Sequence, residues 1–138
     1  MAACVCAAYS GYVPRIGKKP APMLADYKAL IREGVVYVLA DGGAIAGVLV
    51  LKPVGDAALV ENVAVYPSHQ GSGLGRELMR FAEEFASERG LREVSLYTNE
   101  LMTENIPFYH KLGFREVDRR LDDGYRRVFM SKDLPEKA

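Results

Sequence analysis

Only two of the 138 residues are cysteine and two are histidine, and 18 basic residues are matched by 18 acidic ones. Each scarcity removes a class of function. Cys4 and Cys6 make a single C-x-C pair with no second cluster, which is neither a disulfide framework nor a usual zinc site. They read as small helix-facing residues; the alternative, a nucleophilic cysteine, has no histidine near it in sequence to activate it. His69 and His110 are isolated from one another, and no metal is expected. A net charge of zero provides no global field to draw the chain onto nucleic acid or an anionic membrane. No apolar run approaches the roughly 18–20 residues of a membrane span, and residues 1–8 lack the basic region and apolar length of a signal peptide. The expectation is a cytoplasmic protein with neither a nucleic-acid nor a membrane partner.

What is present suffices for one domain over residues 1–138, long enough to bury a core without metals or disulfide staples. An alanine-rich, helix-permissive start gives way to a loop at Pro14, Gly17, Pro20 and Pro22. Tyr27, Leu30 and Ile31 have the one-sided spacing of a short helix over 26–33. Val35 to Ala40 and Ala44 to Leu51 flank Asp41-Gly42-Gly43 and read as an antiparallel hairpin. A second turn over Pro53 to Asp56 leads to a third strand, Ala58 to Val65. Next, Leu74, Leu78, Phe81, Ala82, Phe85 and Ala86 recur at helical spacing opposite Glu77, Arg80, Glu84 and Glu88, with Gly90 as the stop. Connection through that helix makes the short strand Val94 to Tyr97 parallel to the strand ending at Val65. Asn105 to Leu112 reads as a helix with Pro107 in its first turn. A final hairpin pairs Phe114 to Leu121 with Tyr125 to Lys132.

The glycines carry the functional information. Gln70-Gly71-Ser72-Gly73-Leu74-Gly75 joins a strand directly to a helix, so successive backbone N–H groups converge without Cβ interference and the helix adds its positive dipole end. That is an anion cradle. A P-loop is excluded because Arg76 and Glu77, not a lysine and a hydroxyl residue, follow Gly75; the dinucleotide fingerprint is excluded because the glycines run GxGxG. The stretch Leu59-Val60-Glu61-Asn62-Val63-Ala64-Val65-Tyr66-Pro67, followed by Gln70 to Gly75, instead resembles the acyl-CoA motif of the GNAT superfamily of N-acyltransferases. A second segment, Asn105-Ile106-Pro107-Phe108-Tyr109-His110-Lys111-Leu112-Gly113-Phe114, is similar to that family's second signature.

The resemblance implies an α/β (α+β) fold: a mixed, mostly antiparallel central sheet flanked by helices, splayed between the strand ending at Val65 and the strand around Val94 to Tyr97. Family members usually begin with a strand ahead of the first helix, and this chain shows none in sequence. It also implies that acetyl-CoA, as cosubstrate, is held by backbone N–H groups of Gln70, Gly71, Ser72, Gly73, Leu74 and Gly75, with the Val63, Ala64 and Val65 edge bonding pantetheine and polarising the thioester. Arg76 either adds charge near the phosphates or is a solvated helix residue. Asn105 either contacts CoA or the helix end, or serves as an N-cap. Tyr109 is the candidate acid for the departing thiolate, since an ordinary phenol titrates at about pH 10, with simple packing as the other reading. Glu61, on the strand face of Val63 and Val65, orders a water as base, pairs with a basic neighbour, or selects a cationic amine. Tyr9, Tyr12 and Tyr125 are candidate walls of the amine site; Asp122 and Asp123 attract a cation or simply make a turn. The implied activity is direct transfer of an acetyl group to a primary amine of a small molecule or peptide. A non-catalytic CoA sensor and a scaffold domain are the alternatives. An exposed sheet edge would favour a homodimer.

Overall fold

The computed structural model describes residues 4, 7–8, 10, 13–16, 19, 23, 27–41, 44–65, 73–122 and 124–135. The elements are α1 (Val13–Ile16), α2 (Tyr27–Glu33), β1 (Val36–Asp41), β2 (Ala44–Val54), β3 (Ala57–Val65), α3 (Leu74–Glu88), β4 (Glu93–Asn99), α4 (Asn105–Lys111), β5 (Arg115–Asp122) and β6 (Tyr125–Asp133). The strands form one sheet in the order β1-β2-β3-β4-β6-β5. β1 with β2, β4 with β6 and β5 with β6 are antiparallel, and β3 with β4 is parallel. This is the mixed, mostly antiparallel sheet with flanking helices that the sequence implied. Among the described residues no strand precedes Val36.

The chain divides into two compact units, Met1–Lys52 with Glu61–Phe81, and Pro53–Val60 with Ala82–Ala138. In the first, Val48 and Val50 of β2, Ala64 of β3 and Cys4 form a fully buried cluster, joined by Ala8, Met23, Leu30, Val35, Val36 and Ile45. β-Branched residues at alternate positions of β2 suit a pleated, buried surface. Cys4 is core packing, with its Sγ 3.8 Å from the Ala46 carbonyl oxygen. Phe81 departs from the expected core: it is 40% exposed, and its ring meets that of Tyr37 at a tilt of 51°, with centroids 4.9 Å apart. Among the described residues β1 forms the sheet's outer edge, and no described strand pairs beyond it.

In the second unit, Ala82, Phe85 and Ala86 of α3, Val94 and Leu96 of β4 and Val128 and Met130 of β6 are buried. Lys132 on β6 meets Glu83 on α3 at 2.8 Å. The parallel ladder joins Ala57–Val60 to Glu93–Leu96, while β3 continues to Val65 and β4 to Asn99. β4 therefore outruns the expected Val94 to Tyr97 at both ends, because it pairs along its whole length with β6, from Glu93↔Asp133 to Asn99↔Arg127. The turn expected over Pro53 to Asp56 also shrinks. β2 runs through Pro53 to Val54, and only Gly55 (φ +59°) and Asp56 turn. The β1 ladder reaches only Val50 on β2, so the missing N–H of Pro53 lies beyond it.

Candidate active site

The strand-to-helix junction is described from Gly73 onward; Gln70, Gly71 and Ser72 lie outside the described residues, as do Tyr9, Tyr12, His69 and Asp123. Gly73 has φ +86°, and a Cβ built on it meets nothing within 4 Å. Its carbonyl accepts the Glu77 N–H at 3.0 Å, so Gly73 caps a helix of 15 residues. Left-handed backbone at that position needs glycine. The first N–H groups of α3, from Leu74, Gly75 and Arg76, belong to a helix end that carries positive partial charge. Leu74 and Gly75 are half-buried and Arg76 is exposed.

Strand alternation in β3 sorts its residues onto two faces. Val60, Asn62 and Ala64 are buried, whereas Leu59, Glu61, Val63 and Val65 are half-buried. Glu61 and the half-buried Val63 and Val65 thus share a face, as its sequence spacing requires. Its carboxylate pairs with a basic neighbour, one of the readings its sequence setting allows, and the neighbour is Lys52, whose Nζ lies 2.7 Å from Glu61 Oε1. The available signal was that Lys52 is the one charged residue in β2.

In the second unit, α4 presents Tyr109, which is 5% exposed and flanked edge-on by the rings of Phe108 at 5.2 Å and Phe114 at 5.9 Å. Asn105 is not the N-cap. That position is Glu104, which makes no capping bond through its side chain. The Asn105 amide instead donates to Thr98 Oγ1 at 3.3 Å and to Met102 Sδ at 3.5 Å. Its nitrogen ties α4 to the end of β4. His110 is exposed, with Nδ1 3.1 Å from the Phe114 carbonyl.

Around the last hairpin, Asp122 serves neither a turn alone nor an empty cation site. Its Oδ2 accepts from Arg127 Nη1 at 2.9 Å, and that guanidinium, 9% exposed, lies 4.1 Å above the Tyr97 ring and 5.8 Å from the buried Tyr125. Among the described residues no group of three His, Cys, Asp or Glu side chains is placed to hold a metal, and no helix is long and apolar enough to cross a membrane.

A family model described as "Acetyltransferase (GNAT) family" matches residues 7–114. The chain belongs to the acetyltransferase (GNAT) family. Streptothricin acetyltransferase of Streptomyces lavendulae is 40% identical over 83 residues, 55% of this chain and 44% of that protein. The chain spans about half or less of the length of the curated relatives it matches. The ribosomal-protein-S18-alanine N-acetyltransferase of Escherichia coli has the same fold, with TM-score 0.71 and 24% identity over 97% of this chain and 90% of its own. A Bacillus subtilis acetyltransferase in complex with CoA is 26% identical, with TM-score 0.65 over 82% of this chain and 88% of that one.

Proposed function

We propose that this GNAT chain is an acetyl-CoA-dependent N-acetyltransferase, one domain over 1–138, that acetylates a primary amine of a small molecule or peptide by direct attack in a ternary complex. Gly73 carries the reading: its left-handed backbone and open surroundings precede α3, in the segment that resembles the family's acyl-CoA motif. Main-chain donors bind an anion without net positive charge, so a neutral protein can hold a pyrophosphate. Backbone N–H groups of Gln70 to Gly75 take the pyrophosphate, Arg76 adds a cation at the rim, and the Val63 to Val65 backbone bonds the pantetheine and polarises the thioester carbonyl. The amine nitrogen attacks the thioester carbon, Glu61 takes its proton through a water, the C–S bond breaks, and Tyr109 protonates the leaving thiolate. The small-molecule acceptor has support among the relatives, whose names include streptothricin and glucosamine 6-phosphate.

The test is the thermal midpoint with acetyl-CoA, since ligand at 100 times its dissociation constant stabilises by roughly 2.7 kcal/mol. A shift in the parent that vanishes in Gly73→Val supports the cradle; no shift at millimolar ligand sinks the reading. Amine-dependent CoA release, lost in Tyr109→Phe, separates an enzyme from a CoA sensor. A cytoplasmic homodimer belongs to the same reading, because edge strand β1 carries no charge from Val36 to Ala40. A constant monomer mass in sedimentation at several concentrations would remove the dimer.

A further inference from the structure

We propose that Thr98 is a positioning residue for Tyr109, acting through Asn105 and the orientation of α4; this rests on the acid role proposed for Tyr109. The chain leaves β4 through a short connection built on its own polar groups. Asn99 Oδ1 accepts the Leu101 N–H at 2.9 Å, and the Asn99 carbonyl accepts the Met102 N–H at 3.0 Å. Met102 in turn accepts the Asn105 N–H on its carbonyl at 3.0 Å, which starts α4. The side chains then close a triangle back onto the strand. Asn105 Nδ2 donates to Thr98 Oγ1 and to Met102 Sδ, and Thr98 Oγ1 donates to the same sulfur at 3.8 Å. Thr98 and Met102 are 6% and 3% exposed, so water does not compete well for these contacts.

The threonine hydroxyl accepts from the amide and donates to the thioether at once. Valine has nearly the same shape and can do neither. Asn105 and Tyr109 are four residues apart and share one face of α4, so any rotation of the helix that frees Asn105 carries Tyr109 with it. Phe108 and Phe114 flank the Tyr109 ring and the Phe114 N–H bonds the Tyr109 carbonyl at 3.0 Å at the C-terminal end of α4, while Asn105 on Thr98 anchors its N-terminal end. A proton donor displaced by about 1 Å can lose on the order of a hundredfold in rate.

The experiment compares the parent chain, Thr98→Val, Thr98→Ser, Tyr109→Phe and the Thr98→Val/Tyr109→Phe double variant by steady-state CoA release. Thr98→Val is expected to lower kcat about tenfold or more with KM for acetyl-CoA within about twofold, Thr98→Ser to restore it, and the double variant to be no slower than Tyr109→Phe alone. A kcat unchanged in Thr98→Val, or losses that multiply in the double variant, overturns the proposal. If Thr98→Val does not fold by circular dichroism, Thr98→Ala, which removes the same hydroxyl, must show the same kcat loss or the proposal falls. An inactive parent chain refutes the acetyltransferase reading; an active parent with an indifferent Thr98→Val refutes this inference alone.

Discussion

Replacing Glu61 by glutamine distinguishes a base from the anchor of an ion pair, because the two roles differ in size. The Lys52–Glu61 contact is 2.7 Å, with side chains 32% and 25% exposed. Pairs this wet contribute about 0.2–1 kcal/mol, which for a domain of this length moves the melting midpoint by no more than roughly 3–5 °C. A general base is worth far more to the reaction, typically a factor of about 10²–10⁴, or at least about 2.7 kcal/mol in the barrier. Glu61→Gln keeps the shape and removes the proton acceptor. The expected result is a kcat reduced about a hundredfold or more, measured as CoA release at saturating amine, with a melting midpoint moved by only a few degrees. Lys52→Met supplies the control: it breaks the same pair yet leaves the carboxylate, so its stability loss should match and its kcat should remain within about tenfold of the parent. A Glu61→Gln kcat within about threefold of the parent would refute the base. So would a Lys52→Met loss as large as that of Glu61→Gln, since the carboxylate would then matter only through its lysine.

Two further substitutions test packing that supports the candidate site. A Cβ at Gly47 would lie 3.1 Å from Leu78 Cδ1 and 3.3 Å from the Ala64 carbonyl oxygen. The leucine tip can turn aside but the carbonyl cannot, so Gly47→Val should cost about 1–3 kcal/mol in urea unfolding, and an unchanged midpoint would contradict the close approach. Arg127→Lys keeps a charge beside Asp122 but loses the planar guanidinium 4.1 Å above Tyr97. It should cost about 1–2 kcal/mol, and a variant as stable as the parent would show that the stacking contributes nothing.

Periodicity made most of the sheet legible. The alternation of Val60, Asn62 and Ala64 against Glu61, Val63 and Val65 in β3 is the burial pattern found, and the β1–β2 and β5–β6 hairpins turn near their expected positions. α3 begins at Leu74 and ends at Glu88, just before Gly90 at φ +70°. The errors share a cause. The pattern places Pro53 in a turn running to Asp56, yet proline is harmful only where a ladder needs its N–H, and the ladder with β1 ends before it. Asn105 was a candidate cap by residue type, but its amide finds Thr98 and Met102 within reach, and Glu104 occupies the cap.

Side-chain partnerships were illegible because they depend on which strands are neighbours, and local pattern does not contain that order. β6 lies between β4 and β5, although β5 comes first in the chain. This insertion brings Tyr97 opposite Phe129 and Asn99 opposite Arg127, which puts the Arg127 guanidinium over the Tyr97 ring; with β5 beside β4 the same residues would face other partners. Lys52 and Glu61 lie nine positions apart in sequence on successive strands, and Thr98 reaches Asn105 only because the chain turns sharply after Asn99. Each pair joins residues that hydrophobic spacing classifies alone as a surface charge, a strand threonine or a helix-start asparagine. The roles proposed for Glu61 and Tyr109 are therefore tested best beside variants of Lys52 and Thr98, because each such variant removes a contact of the proposed group, or of its helix, while leaving the group itself in place.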